Sequence, residues 1–416
     1  MKRVFILLVS LSIVLVGCGS DSSFTTTTTQ TLKIADHVEF GEDDYQKIVS
    51  SNNELGFDLL VKAPRDDNGN IFISPTSLYM ALSMVYNGAD GVTKEEMEKV
   101  LYANGLDPDE LNRANASLMT LFAQSTEQIQ LNIANSIWLN DKYSFQEEFA
   151  TTNKDYFNAE IKTIDVQNPQ SPKMINDWVN RKTNGTIDKI VDDTPDPGLV
   201  AMLLNAIYFK GNWTYPFKAS LTEDKDFTLT NGSTIKIPLM KLKEELLYTK
   251  NNVFQAVSLP YGKENMSMKV FLPHENVGLK EFEEMLSTEQ WENWIDSFYK
   301  LEGTILLPKF SLEYEVGLIE TLEALGMPSA FKNANFSKMI EGNSNLVITS
   351  VKQKTFIDVN EEGTEAAAVT KVEMGETAIE PIDKPFYMEV NRPFFIAIVD
   401  ETSGTILFMG SITNPQ

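Results

Sequence analysis

Cysteine and histidine are nearly missing from this chain of 416 residues: Cys18 is the one cysteine, and His37 and His274 are the two histidines. A disulfide is therefore excluded, and so is chemistry that needs several imidazoles, such as a three-histidine zinc site. Basic residues are scarce too. Lys and Arg number 35 against 59 Asp and Glu, a formal net charge of -24. That excludes a general nucleic-acid binder, which needs a basic footprint, and it disfavours adsorption to anionic headgroups. No Gly-x-Ser-x-Gly elbow, His-Glu-x-x-His, phosphate-binding glycine loop or Cys-x-x-Cys occurs, so the common enzyme signatures are absent. No metal or cofactor is expected, and His274, just past an apolar strand in Phe-Leu-Pro-His-Glu, reads as a loop residue rather than a catalytic base. Aromatic and apolar residues are plentiful. The apolar share of 42% with 24 Phe, 13 Tyr and 5 Trp excludes a disordered chain.

The N-terminus has its own logic. Lys2 and Arg3 precede an apolar run from Val4 to Val16, too short for a lasting membrane span, which reads as a signal peptide over residues 1–17. Leu15-Val16-Gly17-Cys18 resembles the lipobox of bacterial lipoproteins. The resemblance implies lipidation of the Cys18 sulfur and cleavage before it, giving a protein anchored to the cell envelope outside the cytoplasmic membrane. Gly19 after the cysteine leans towards the outer membrane or cell surface. Residues 18–42, with five consecutive threonines from Thr25 to Thr29, read as a flexible tether.

From residue 43 to 416 no second linker or repeat interrupts the chain, so one large domain is expected. Ser74-Pro75 predicts a helix start with a serine cap and proline at the first helical position. Leu78 to Tyr86 is apolar nearly all round, which predicts a buried helix stopped by Gly88. Thr93-Lys94-Glu95-Glu96 predicts a capping box for the next helix. Strand-like runs follow at Leu203 to Phe209, Ser267 to Leu272, Thr304 to Leu307, Phe394 to Val399 and Thr405 to Met409, the last two forming a C-terminal hairpin. Helices first and strands later indicate an α+β class.

The segment from Glu361 to Met374 carries two opposed signals. Thr364, Ala366, Ala368, Thr370, Val372 and Met374 alternate with Glu365, Ala367, Val369, Lys371 and Glu373, the period of a strand with one small or apolar face. Its richness in Glu and Ala favours a helix. The charge and glycine of Gly375-Glu376-Thr377-Ala378 argue for an exposed loop beyond it.

Glu361-Glu362-Gly363-Thr364-Glu365-Ala366-Ala367-Ala368 resembles the hinge of the serpins, a family of suicide protease inhibitors. Further blocks match in order: Phe72 to Leu78, Asn205-Ala206-Ile207-Tyr208-Phe209-Lys210-Gly211-Asn212-Trp213, Leu307 to Phe310, Leu325 to Met327, Asn391 to Phe394 and Phe408 to Gly410. The resemblance implies three β-sheets with eight or nine helices and an exposed reactive-centre loop. It implies an inhibitor that is cut once and keeps the protease as an acyl-enzyme while the loop inserts into the central sheet, hence not an enzyme. A non-inhibitory binding protein whose loop never inserts is the alternative.

The hinge is then Glu361, Gly363, Thr364, Glu365, Ala366, Ala367 and Ala368, and the sheet opens around Ser74, Ser77, Asn205, Gln353 and Trp213. Many serpins carry a histidine ten residues before the hinge glycine, where this chain has Gln353. Gln353 still donates and accepts, so a neutral network with Ser74, Ser77 and Asn205 is expected and a histidine pH switch is not. The family places the scissile bond fourteen residues after the hinge glycine, at Thr377–Ala378, with Glu376–Thr377 as the alternative. Thr at the cut favours elastase-like or subtilisin-like serine proteases, with papain-like cysteine proteases a further class of target. No heparin-type site is expected, because Lys and Arg do not cluster between Asp109 and Gln130. A monomer is expected.

Overall fold

The computed structural model describes residues 34, 41–123, 128–191, 198–342, 347–364 and 384–416. Cys18, the tether except residues 34, 41 and 42, residues 365–383 of the loop and the bond at Thr377 lie outside the described residues.

The first half is built of helices: α1 (Glu42–Lys62), a short β1 (Ile71–Ile73), α2 (Pro75–Tyr86), α3 (Gly91–Val100) and α4 (Pro108–Phe122). After β2 (Ile129–Asn140) come α5 (Glu147–Phe157), β3 (Glu160–Ile164), α6 (Ser171–Lys182) and β4 (Ala201–Asn212). Strands then dominate: β5 (Glu223–Thr228), β6 (Thr234–Lys250), β7 (Phe254–Tyr261) and β8 (Met266–Pro273). They are followed by α7 (Gly278–Glu284), α8 (Thr288–Asp296), β9 (Tyr299–Pro308), β10 (Phe310–Gly317), α9 (Ile319–Leu325) and α10 (Ser329–Lys332). The chain ends with β11 (Ile348–Val359), β12 (Gly363–Thr364), β13 (Phe386–Glu389), β14 (Phe394–Asp400) and β15 (Ile406–Ile412).

Among the described residues these strands join into two sheets, one in the order β10-β11-β12-β4-β2-β3, the other nine-stranded. The expected three become two because β6 belongs to both arms of the larger sheet. It pairs with β9 from Leu239 to Tyr248 and turns over to β7 only from Leu247 to Lys250. Among the described residues there are ten α-helices rather than eight or nine. One of the extra divisions falls at Gly326, whose φ of +118° ends α9 before α10 begins, a conformation that suits glycine.

α2 confirms the serine-proline start: Ser74 caps it, accepting from the Ser77 N–H, and every residue from Pro75 to Tyr86 is buried. Two local expectations fail. Gly88 is not a left-handed cap; a Cβ there would lie 2.4 Å from that of Met339, so glycine is required for close approach. Thr93 and Glu96 do not form a capping box, since α3 begins two residues earlier, after Asp90. Their side chains accept instead from the Asn335 N–H at 2.9 Å and the Ser329 N–H at 2.8 Å, tying α3 to the α10 segment.

β4 is buried on both faces, which is why it reads as an almost continuous apolar run. Leu203, Ile207 and Phe209 join the central core, while Met202, Leu204 and Ala206 join a second cluster under α6 with Trp138, Ile175 and Trp178. Burial of such side chains stabilises by about 1.5–3 kcal/mol each. The C-terminal hairpin forms as expected, β14 antiparallel to β15.

Candidate functional site

The site is a seam in the six-stranded sheet. β4 and β11 run parallel and pair directly from Ile348↔Ala201 to Gln353↔Asn205 and Lys354↔Ala206. Beyond Lys354 direct pairing ends, and Gly363 and Thr364 enter from the far end as β12. It is antiparallel to both neighbours: Gly363 faces Asn212, while Thr364 faces Gly211 on one side and Val359 on the other. The start of the hinge therefore already occupies the central sheet.

Each described hinge residue has a specific hold. The Glu361 and Glu362 carbonyls accept from the Phe217 N–H at 2.8 Å and the Trp213 N–H at 2.9 Å. The Glu361 carboxylate takes the Lys309 ammonium at 2.8 Å and the Thr222 hydroxyl at 2.8 Å. Burial pushes this carboxyl up, but Lys309 and Thr222 outweigh it and hold it below the usual range. Asn360 closes the turn: its side-chain oxygen accepts from the Glu362 and Gly363 N–H groups. Its own carbonyl accepts from the Trp213 indole at 2.9 Å.

Gly363 is needed for space rather than for an unusual φ. A Cβ there would stand 2.1 Å from the Gly211 carbonyl oxygen and 2.7 Å from the Asn212 Cα, both backbone atoms that cannot swing aside. Thr364 is buried, its hydroxyl 2.7 Å from that of Tyr261. Complete burial pushes the Tyr261 phenol far above its ordinary pKa, so it remains a neutral hydrogen-bonding group. Its ring stacks on Trp213 at 4.4 Å and meets Phe209 edge-on at 5.1 Å.

At the closed end the expected polar network resolves into two separate pairs. The Gln353 side chain accepts from the Ser74 N–H at 3.0 Å and donates to the Ser74 carbonyl at 2.9 Å. Asn205 donates to the Asn135 side-chain oxygen at 2.6 Å. The Ser74 hydroxyl donates to the Leu407 carbonyl at 2.6 Å. Among the described residues the Ser77 hydroxyl and the Asn205 side-chain oxygen find no hydrogen-bond partner. Gln353 and Asn205 are neighbours across the seam, but the Gln353 side chain turns to the backbone that caps α2 and that of Asn205 to β2.

Of the expected site residues, the structure thus brings together Glu361, Gly363, Thr364 and Trp213 at the open end, and Ser74, Ser77, Asn205 and Gln353 at the closed end. Glu365, Ala366, Ala367 and Ala368 lie outside the described residues. Sequence reasoning missed Tyr261, Thr222 and Asn135, which nothing local to the hinge announces. His274 lies in a turn, its Nε2 3.0 Å from the Asn251 carbonyl oxygen.

A family model described as serpin (serine protease inhibitor) matches residues 50–415. A serpin-like protein of Thermococcus kodakarensis is 36% identical over 90% of this chain and 87% of its own length. The native state of the thermophilic serpin tengpin superposes with a TM-score of 0.81 at 33% identity, covering 88% of this chain and 94% of that one. Human thyroxine-binding globulin in its thyroxine complex gives 0.80 at 26% identity, over 90% of this chain and 100% of that one.

Proposed function

The chain belongs to the serpin family, whose members are in general protease inhibitors rather than enzymes, and from that membership we propose that it traps a serine protease by inserting its own cleaved loop into the seam between β4 and β11. One observation carries the reading. The rungs that β12 makes to β4 and to β11 keep the same offset as the direct rungs between β4 and β11. Continuing β12 residue by residue therefore needs no slip in register. Ala366 would fall between Phe209 and Ile357, Ala368 between Ile207 and Thr355, and Thr370 between Asn205 and Gln353. After insertion these even positions would point to the central core with Phe209 and Ile207, where small side chains suit a filled interior.

The chemistry is supplied by the target. The protease serine oxygen attacks the Thr377 carbonyl, the Thr377–Ala378 amide breaks, and the new amine of Ala378 leaves with a proton, leaving an ester. The freed end then enters the seam, each inserted residue adding ladder hydrogen bonds of about 0.5–1.5 kcal/mol net. The enzyme is carried to the far end before water reaches the ester. Elastase-like or subtilisin-like serine proteases fit Thr377 best, and papain-like cysteine proteases form the corresponding thioester. Lipid on Cys18 would hold the inhibitor on the cell envelope; processed Cys18→Ala protein that stays in the membrane fraction would count against that.

The experiment is a protease panel scored for a covalent complex that survives denaturant. The likeness to thyroxine-binding globulin supports the second reading, a binding protein whose loop does not insert. That reading predicts cleavage of the loop with no complex for every protease.

A further inference from the structure

A cleft of about 390 Å³ opens where the end of α2 meets the first turns of α3, α4 and α5. Small-molecule sites span roughly 300–1,000 Å³. Tyr86, the last residue of α2, lines this cleft and is 3% exposed, yet its hydroxyl has no hydrogen-bond partner among the described residues. A hydroxyl so deep is costly to leave unpaired, and such groups are almost always satisfied. Burial, with Glu98 and Asp107 close by, pushes the phenol up to about 12, so it keeps a proton to donate. The Lys94 ammonium stands 5.0 Å over the same ring, a cation–π contact, and has no carboxylate partner among the described residues. Two donors on one wall thus lack an acceptor. Asn87 and Asn112 bond each other in both directions, at 2.9 Å and 3.1 Å, and brace that wall.

The entrance carries the opposite sign. Asp109 and Glu148, exposed on the first turns of α4 and α5, line it without an ion-pair partner among the described residues. Lys338, also at the entrance, is taken by Asp90 at 3.3 Å. Unpaired donors within and unpaired carboxylates outside suit a zwitterion that enters with its anionic end first. A carboxylate would accept from the phenol and the ammonium in charge-assisted bonds, which are the stronger kind. A single amino acid bears both charges on one carbon and cannot reach from the buried wall to the exposed rim. A short peptide can, since each residue adds about 3.3–3.6 Å between its termini.

We propose that this cleft binds a short free peptide, with its C-terminal carboxylate on the Tyr86 hydroxyl and the Lys94 ammonium and its N-terminal ammonium towards Asp109 and Glu148. Peptide-bond hydrolysis is the class of reaction that supplies such a ligand. None of these residues belongs to the hinge or the seam, and the site does not depend on loop insertion.

The test is calorimetric titration of the full chain with trialanine, its C-terminal amide and its N-acetyl form. Trialanine should bind, and amidation should weaken it at least about tenfold, the scale of one charge-assisted hydrogen bond. N-acetylation should cost only about threefold, as an exposed ion pair does. Lys94→Met and Tyr86→Phe should each weaken trialanine about tenfold and leave the already weak amide nearly unaffected. Lys280→Met, on distant α7 with 89% of its side chain exposed, should change nothing. Should Tyr86→Phe fail to fold, Lys94→Met, at a half-buried site, carries the test alone. No binding at millimolar trialanine overturns the site. An amide that binds as well as the acid, or a Lys94→Met variant that binds like wild type, overturns the carboxylate assignment. Inorganic phosphate that binds wild type as tightly as trialanine would make the cleft a plain anion site and overturn the peptide.

Discussion

The hydroxyl oxygens of Tyr261 and Thr364 lie 2.7 Å apart, so the last residue of β7 in the nine-stranded sheet holds the first buried side chain of the hinge in the other sheet. Neither hydroxyl reaches water, and each is the other's hydrogen-bond partner. Tyr261→Phe keeps the stack on Trp213 but leaves the Thr364 hydroxyl buried and unpaired, at a cost of about 1–3 kcal/mol. Thr364→Val removes the opposite partner. The double variant should be less destabilised than the two single effects added, a coupling of about 1 kcal/mol visible in urea midpoints. Additive effects would show that the contact contributes nothing.

Gly363 admits no side chain. With the Gly211 carbonyl oxygen 2.1 Å from where a Cβ would sit, Gly363→Val must expel the hinge from the seam or displace β4. The loop should then be cut as a substrate, with complex yield falling at least about tenfold, as it should in Thr364→Arg, where an unpaired guanidinium would be buried. Cleaved wild type should melt well above the intact protein, and cleaved Thr364→Arg should not. Undiminished complex in either variant contradicts the insertion reading.

Acid should loosen the clasp at Glu361 and leave the closed end of the seam alone. The Glu361 carboxyl is held below its ordinary pKa by Lys309 and Thr222 against the upward push of burial. A group depressed in the folded state contributes stability that is complete above its unfolded pKa, about 4.3, and is lost as pH falls through the folded value. The stability difference between wild type and Glu361→Gln should be constant from about pH 8 to 5 and shrink below about pH 4. Gln353, Ser74, Asn205 and Asn135 carry no titrating group, so Gln353→Ala should cost the same at pH 5 and pH 8. A pH-dependent cost there would contradict the neutral pairing.

How legible the molecule was depended on the range of each signal. Ser74-Pro75, the C-terminal hairpin and the run along β4 were readable because capping, turns and two-sided burial act over a few residues. The α3 start was misread because Thr93 and Glu96 are used by the Asn335 and Ser329 backbone, more than two hundred residues away. The hinge was recognisable as a motif, and its alternation and helix-forming composition left strand and helix both open. Only pairing with β4 and β11 makes Gly363 and Thr364 a strand. Tyr261, Thr222 and Asn135 were out of reach for the same reason, since each acts on a segment remote in sequence.

The cut should fall at Thr377–Ala378, and the length of the seam argues for it. Continued in register, the loop reaches Leu204 with Lys371 and Ala201, the first residue of β4, with Met374. A chain cut after Thr377 can thus fill the whole seam, moving its end by about 45 Å at ~3.3 Å per residue. A chain cut after Lys371 stops at Leu204, three rungs short of the first residue of β4, and leaves the protease short of the far end. Trypsin, whose buried carboxylate needs Lys or Arg and rejects Thr, should therefore consume the protein after Lys371 without being trapped. An elastase-like enzyme should release a C-terminal fragment beginning at Ala378 and remain bound to the rest. Mass spectrometry of that fragment decides: a start at Thr377 moves the bond to Glu376–Thr377, and a stable trypsin complex cut after Lys371 would refute the length argument.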